Sequence, residues 1–459
     1  MKNDITEEKQ MEALVDICRR IDAAGGFALM VGGAVRDMLL DIPSKDYDLE
    51  CYNITPEAIM DCLKDSYGID RVGASFGVMK VKHYDIDIAL PRTENKTGYG
   101  HRGFMVDIDP DMSFKDAASR RDFTINAIMF DPLEHEFFDP WDGMKDLEKG
   151  ILRHVSEHFS EDPLRVLRAM QFVARFNMKV VPETVQICSE MTQDELPPER
   201  LAGEWEKLLL KGQVPSSGLK FLRNCGWVRY YPELNALIDC HQTPVWHPEG
   251  DVWNHTMLCL DEAAKLRNGN DDDDLVLMLA VLCHDFGKPA TTFIREDGKI
   301  VSPGHDTAGI KPALSFISRI WGRKDLPERV LPLVEHHMKP AQLVQGNAGA
   351  KAYRRLALDV QRLDLLAKVA RCDILSTGVD VENRLRDLDT FLQKAQSLNI
   401  EKEAPKPILL GRHLIACGIK PGPQMGKMLQ QAFEAQLDGA FHDLDGALKY
   451  LDTIVSPAN

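Results

Sequence analysis

No stretch of this 459-residue chain runs apolar for the ~18 or more residues that a membrane-spanning helix needs, so no membrane partner is expected. The ten cysteines stand singly, with no CxxC pair among them. That removes the paired-thiol motifs and suits buried thiols in a reducing compartment, the cytoplasm. Positive charge is in short supply: 55 Lys and Arg against 71 Asp and Glu leave a net charge of −16. A surface coated in nucleic acid is disfavoured on that count, although local charge decides any one binding site. No internal repeat is visible. The opening residues, MKNDITEEKQMEALVDICRR, are charged and amphipathic, unlike a secretory signal. What remains is ordinary for a globular protein, 44% hydrophobic and 27% charged, with length for about three domains at ~150 residues each.

Residues 7–24 have helical periodicity. FALMVGGAV reads as a strand entering a turn and RDMLL as a short helix. DYDLECYNI, GVMKVKHY and YDIDIALPR are strand-like, with β-branched and aromatic residues in short runs. Between them TPEAIMDCLKDSYG predicts a helix capped by Thr55, with Pro56 in its first turn. Residues 25–140 thus form a mixed α/β unit. Within it PRTENKTGYGHRGFMVDIDP is long, polar and glycine-containing, and is expected to be a mobile loop. From about residue 150 helical periodicity dominates, as in DPLRVLRAMQFVARF. TPVWHPEGDVWNH is a candidate boundary, RNGNDDDD is expected to be a solvated loop, and the tail from 405 reads as helices punctuated by Pro and Gly.

The stretch VGGAVRDMLLDIPSKDYDLE carries the first constellation. Side chains alternate along a strand, so Asp46 and Asp48 share a face. Two carboxylates so placed suit divalent ions clamping a phosphoryl transfer, and Mg²⁺ favours one or two carboxylates plus substrate phosphates. Gly32 and Gly33 precede a helix start, where backbone N–H groups can receive phosphate. Arg36 lies one turn further on, and Asp87 in YDIDIAL is a candidate third carboxylate. A glycine pair alone marks a turn and a DxD alone marks an exposed strand. In this order on a strand–turn–helix–strand frame, they point to a nucleotidyltransferase head.

VGGAVRD, KDYDL, PRTENKTGYGHRGF, RRDFTINAI and EDPLRVLRA stand in the order found in class II tRNA nucleotidyltransferases. Residues 25–235 resemble that family, which shares a polymerase-β-like head with bacterial poly(A) polymerases. The resemblance implies that Gly33 and Arg36 contact the incoming nucleotide and that Asp46 and Asp48 hold catalytic Mg²⁺. Arg121, Arg165 and Arg168 fall at the nucleotide, and Asp87 falls where many members carry an acidic residue. Asp162 and Arg165, three apart, pair an acceptor with a donor able to read a Watson–Crick edge. In the family these positions select C and then A. Glu161, four before Arg165, is placed by spacing to hold the arginine. Spacing alone fits an ordinary helical ion pair equally well. The full-length segment 92–108 accords with addition of the final A.

A second constellation lies downstream. His255 sits in VWNHTML, His284 and Asp285 form an adjacent pair in LAVLCHDFGKP, and Asp373 follows in ARCDILSTG. Adjacent helical residues point ~100° apart, so partners from other helices must close a site around one ion. Imidazole with carboxylate suits a transition metal or Mg²⁺. The pattern resembles the HD phosphohydrolase superfamily, whose H…HD…D signature holds catalytic metal in an all-helical domain. His305 and His336 are candidates for a second metal or for substrate phosphate. Some CCA-adding enzymes of gammaproteobacteria carry such a domain, with phosphatase and 2′,3′-cyclic phosphodiesterase activities. The tail from 405 departs from theirs.

The expected architecture is an α/β polymerase-β-like head (1–150), a helical nucleotide-recognition and RNA-binding body (151–240), an all-α HD domain (241–395) and a helical tail (396–459). The expected activity is addition and repair of the 3′-terminal CCA of tRNA from CTP and ATP. Mg²⁺ serves the head, and Ni²⁺ or Mg²⁺ the HD domain. The competing readings are an A-adding enzyme or poly(A) polymerase, an HD phosphohydrolase with a non-catalytic head, and a non-catalytic tRNA-binding protein.

Overall fold

The computed structural model describes residues 6–71, 78–96, 104–194 and 196–455. Two compact units emerge, Met1–Pro197 with Lys220–Gly226, and Pro198–Leu219 with Trp227–Asn459. The two units part near residue 197.

The first unit is built on a seven-stranded sheet. Its strands are β1 (Phe27–Val31), β2 (Tyr47–Tyr52), β3 (Ile69–Arg71), β4 (Val78–Val81), β5 (Ile86–Ala89), β8 (Met129–Asp131) and β9 (Glu136–Phe138), in the order β3-β4-β5-β2-β1-β8-β9. Only the β2–β5 pair is parallel. One face packs Ala28, Met30, Leu49, Cys51 and Ile88 against helices α1 (Glu7–Ala23) and α3 (Pro56–Leu63). Thr55 caps α3 by accepting from the Ala58 N–H, and Pro56 opens it, as its sequence predicts. The opposite face carries Leu29, Val31, Tyr52 and Met129, with Phe27, Phe114 and Phe138 packed beside them. Strand alternation thus puts Asp48, Glu50 and Tyr52 in one row, opposite Val31, Leu29 and Phe27 of β1.

The polar segment after β5 is not irregular throughout. Its arms, β6 (Arg92–Lys96) and β7 (Phe104–Ile108), pair antiparallel as a separate two-stranded ribbon. Cross-strand bonding satisfies backbone groups that a loop would leave to water. Residues 97–103, part of the expected mobile loop, lie outside the described residues.

The second unit is almost wholly helical, with one two-residue hairpin at Phe293–Ile294 and Ile300–Val301. At its centre runs helix Asp271–Cys283, buried from Asp274 through Cys283. A helix apolar on every side belongs in an interior. RNGNDDDD is solvent-exposed as expected from Asn268 through Asp272, but only its first half is loop: the four aspartates form the first turn of this helix, and Asp274 is buried. Asn270 accepts from the Asp273 N–H, and Asp274, 3% exposed, accepts from the N–H groups of Asn268 and Gly269 at 2.9–3.0 Å. Arg329 and Arg362 both bind Asp273, and Arg323 binds Asp272. Carboxylates at a helix N-terminus meet the positive end of its dipole, which explains an acidic run that charge alone would send to solvent. The tail folds as short helices around Leu409, Leu414, Met425, Phe441 and Leu451.

Asp274→Ala should strand two N–H donors and cost about 1–3 kcal/mol. Asp272→Ala breaks an exposed pair and should cost at most about 1 kcal/mol. Tryptophan fluorescence during urea unfolding checks both, since Trp205, Trp227, Trp246, Trp253 and Trp321 lie in this unit and only Trp141 in the other.

Candidate functional site

In the first unit β1 ends at Gly32, whose φ of +75° only glycine adopts without strain. A Cβ there would also stand 3.3 Å from Arg121 Nη1 and 3.4 Å from Asp48 Oδ2. Gly33 then opens helix α2 (Gly33–Leu39). Asp48 lies within β2, directly beside Asp87 of β5, and Asp46 precedes the strand on the same alternation. Asp48 is exposed between buried neighbours on its strand. Desolvation heads the causes that raise its carboxyl above the ordinary value; Arg121 opposes, and the charges of Asp87 and Asp46 add to the rise. Asp46, Asp48 and Asp87 gather three negative charges, a donor set that a divalent cation relieves, and these residues fit such an ion. Lys80 supplies partial compensation, 3.2 Å from Asp87. Arg121 is anchored by Glu50 at 2.6 Å, and Tyr52 donates to the other oxygen of Glu50.

The remaining sequence-predicted residues are braced. Arg36 is only 4% exposed: it donates to Asn126 Oδ1 at 2.6 Å and to Asp37, and lies over the rings of Phe172 and Phe176. It therefore holds α2 against helix α6 (Leu164–Phe176), where a phosphate contact was expected. Arg168 donates to Asp122 at 2.6 Å. Burial pushes the Asp122 carboxyl up, but Arg168, with the Asn126 bond, outweighs it and holds the carboxyl below its ordinary value. Arg165 is fixed by the backbone carbonyls of His158 and Arg120. Glu161 does not hold it; that carboxylate takes Arg120 and His158 instead. Asp162 lies just before α6, outside the helix, and accepts from the Leu164 N–H at 3.0 Å.

In the second unit helix Val252–Lys265 supplies His255, the C-terminus of Asp271–Cys283 supplies His284 and Asp285, and helix Leu363–Thr377 supplies Asp373. The four converge. His255 Nε2 is 3.2 Å from Asp373 and 3.8 Å from Asp285, and His284 Nε2 is 3.3 Å from Asp285. Backbone and carboxylate partners set the rings: Glu249 takes His255 Nδ1 at 2.7 Å, and the Val281 carbonyl takes His284 Nδ1 at 2.6 Å. His284 Nε2 is buried without a hydrogen bond, while Asp285 Oδ2 is ion-paired with Lys288. Burial alone would push His284 down, yet Asp285 beside it raises it to about 10. Burial would push Asp285 up, yet Lys288 at 2.7 Å and His284 hold it well below the carboxylate range. Protons gathered on imidazoles between ionised carboxylates mark a place for a cation, which would displace them. The residues fit a metal ion. A cavity of about 490 Å³ opens beside them, lined by His247, Lys288, His305, His337, Asp373 and Arg384 among others.

Of the two adjacent histidines, His337 and not His336 reaches the cavity, its Nε2 3.2 Å from that of His305. His337 follows the last residue of helix Asp325–His336, and the phase of that end decides which ring turns inward. His305 also lies 3.5 Å from Asp285. Gly287 makes room for it, because a Cβ there would meet the His305 carbonyl at 1.9 Å. Glu249, Lys288 and Arg384 are absent from the sequence-level site. Lys288 stands three after Asp285 in the same motif and was open to the spacing argument; Arg384 carries no local signal.

Stability from the Asp122–Arg168 pair is full above the unfolded carboxylate value, ~3.9, and is lost as pH falls through the lowered folded value. Asp122→Asn should remove that pH-dependent part, read as a flatter acid limb in the hydrogen-exchange protection of α6.

Among the described residues no helix is long and apolar enough to cross a membrane. Residues 28–153 match the poly A polymerase head domain, and residues 252–376 match the HD domain. A crystal structure of the Bacillus stearothermophilus CCA-adding enzyme in complex with CTP is similar over 97% of this chain and 98% of its own, with a TM-score of 0.63 at 21% identity. The Thermotoga maritima CCA-adding enzyme complexed with tRNA gives 0.60 at 18% identity, over 98% of each chain. These likenesses speak to the fold. A multifunctional CCA protein of Actinobacillus pleuropneumoniae is 37% identical over 319 residues, 67% of this chain and 74% of its own. One of Acinetobacter baumannii is 34% identical over 412 residues, 88% of this chain and 94% of its own. Identity at that level across nearly the whole of both chains exceeds what a shared fold requires, and the chain belongs to the multifunctional CCA protein family of class II CCA-adding enzymes.

Proposed function

We propose that this chain adds and repairs the 3′-terminal CCA of tRNA, using CTP and ATP, in the cytoplasm. The observation that carries the reading is near-full-length identity to multifunctional CCA proteins, on a head whose Asp48 stands beside Asp87 with Arg121 at hand. The tRNA 3′-hydroxyl attacks the α-phosphate in line, and pyrophosphate leaves. Divalent ions, Mg²⁺ in the first place, held by Asp46 and Asp48 with Asp87 alongside, supply charge to the attacking and leaving oxygens when bound. Arg121, held by Glu50, faces the phosphates. Asp162, set by the first turn of α6, and Arg165, with its plane fixed by two carbonyls, present an acceptor and a donor to the base. Arg36 and Arg168 serve by holding α2 and α6 in register, and Gly33 by admitting the phosphates to the turn.

A second activity is supported by the convergence of His255, His284, Asp285 and Asp373 beside a cavity holding Lys288 and Arg384. We assign it to hydrolysis of phosphate monoesters or 2′,3′-cyclic phosphates. These four residues would hold a divalent ion, Ni²⁺ or Mg²⁺, which would supply the Lewis acidity that activates water. His305 and His337, with Asp285, are placed for a second ion or for the substrate phosphate. Lys288 and Arg384 neutralise the ester.

Asp48→Asn should abolish nucleotide addition and leave hydrolysis intact, measured with tRNA lacking CCA and with a cyclic nucleotide. His284→Ala should do the reverse. An enzyme that extends only tRNA ending in CC, and only with ATP, is an A-adding enzyme and not this one. Asp162→Ala should raise misincorporation of UTP and GTP tenfold or more, since an unpaired buried edge costs about 1–3 kcal/mol. Unchanged fidelity would reduce Asp162 to a helix cap.

A further inference from the structure

Cys259 stands four residues after His255 on one helix, so both side chains leave the same face. Its Sγ lies 3.3 Å from His255 Nε2, the nitrogen that faces Asp373 and Asp285. The ligand atoms of His255, Cys259 and His284 all fall within 4.8 Å of one another. Cys259 is fully buried, so the thiol faces the donor cluster and not solvent. The independent pointer to an ion is His284 Nε2 beside it, buried without a hydrogen bond on a side chain 2% exposed. Two neighbouring donors bonded to one ion at about 2.0–2.3 Å stand about 2.8–3.8 Å apart, from octahedral to tetrahedral angles. The separations from His255 Nε2 are 3.2, 3.3 and 3.8 Å.

We propose that Cys259 is a further protein ligand of the HD-domain metal, making the centre a mixed nitrogen, oxygen and sulfur site for a borderline ion such as Zn²⁺, Ni²⁺, Co²⁺ or Fe²⁺. This rests on the reading of His255, His284, Asp285 and Asp373 as a metal centre, and narrows it. Mg²⁺ takes oxygen donors and gains nothing from a thiolate, whereas the later first-row ions bind sulfur readily. The head, whose donors are carboxylates, would keep Mg²⁺. One chain would then hold two centres of opposite preference.

The test uses metal-stripped full-length protein titrated with Co²⁺. The wild type should develop visible ligand-field bands together with a near-ultraviolet thiolate-to-Co²⁺ band, both lost in Asp285→Ala, which assigns them to this centre. Cys259→Ser and Cys259→Val should lose the near-ultraviolet band and keep the visible ones. Zn²⁺ affinity should fall about tenfold or more, within the range over which ligand environment tunes such sites. Cys372→Ala, removing another buried thiol of the same unit, should leave the spectrum unchanged. Visible bands without the thiolate band in the wild type, or a thiolate band that survives in the Cys259 variants, would overturn the sulfur ligand and leave the metal centre standing. No Co²⁺ spectrum attributable to Asp285 would overturn both. The wild-type spectrum decides the question even if the variants fold poorly.

Discussion

Asp285 is almost wholly buried and still ionised, with Lys288 2.7 Å away and His255, His284 and His305 around it. A lone carboxylate in such surroundings would take up a proton; this one keeps its charge because cations have been buried with it. Much of the functional architecture answers the same demand. In the head, Glu50 is covered and matched by Arg121, and Asp122 is covered and matched by Arg168. Each pair fixes an arginine or a histidine in one pose, which is what recognition of phosphate or metal requires. Such pairs add little net stability against apolar substitutes, so their yield is geometry.

Much of this was legible in sequence where the signal is local. A two-residue alternation placed Asp46 and Asp48 on one face, and the β2–β5 register brings Asp87 beside them. Thr55 and Pro56 announced a helix start that the structure contains. The spacing pattern of His255, His284, Asp285 and Asp373 points to one site, and their polar atoms meet at 3.2–3.8 Å.

What escaped depends on partners far along the chain. Glu161 was matched to Arg165 because they are four apart, but Arg120, 41 residues away, takes the carboxylate. Arg36 has the charge for phosphate and the position for it, yet Asn126, Phe172 and Phe176 enclose it. The choice between His336 and His337 turns on helical phase at a terminus, which neighbours settle. The acidic run reads locally as loop, whereas the arginines that pair with it in a helix lie 51 to 89 residues on.

Helix Asp271–Cys283 joins that clamped acidic end to the His284–Asp285 pair. Buried all round, it works as a ruler: each residue advances ~1.5 Å and turns ~100°. Inserting or deleting one residue between 275 and 283 would swing both metal-facing side chains off the cavity, and no slack in the buried helix would absorb the change. The short connection of residues 266–270 that precedes the helix carries no such metric. Length variation among homologous chains should therefore collect before the acidic cap and vanish after it, so that distance along this helix is held more strictly than most of the apolar residues that fill it.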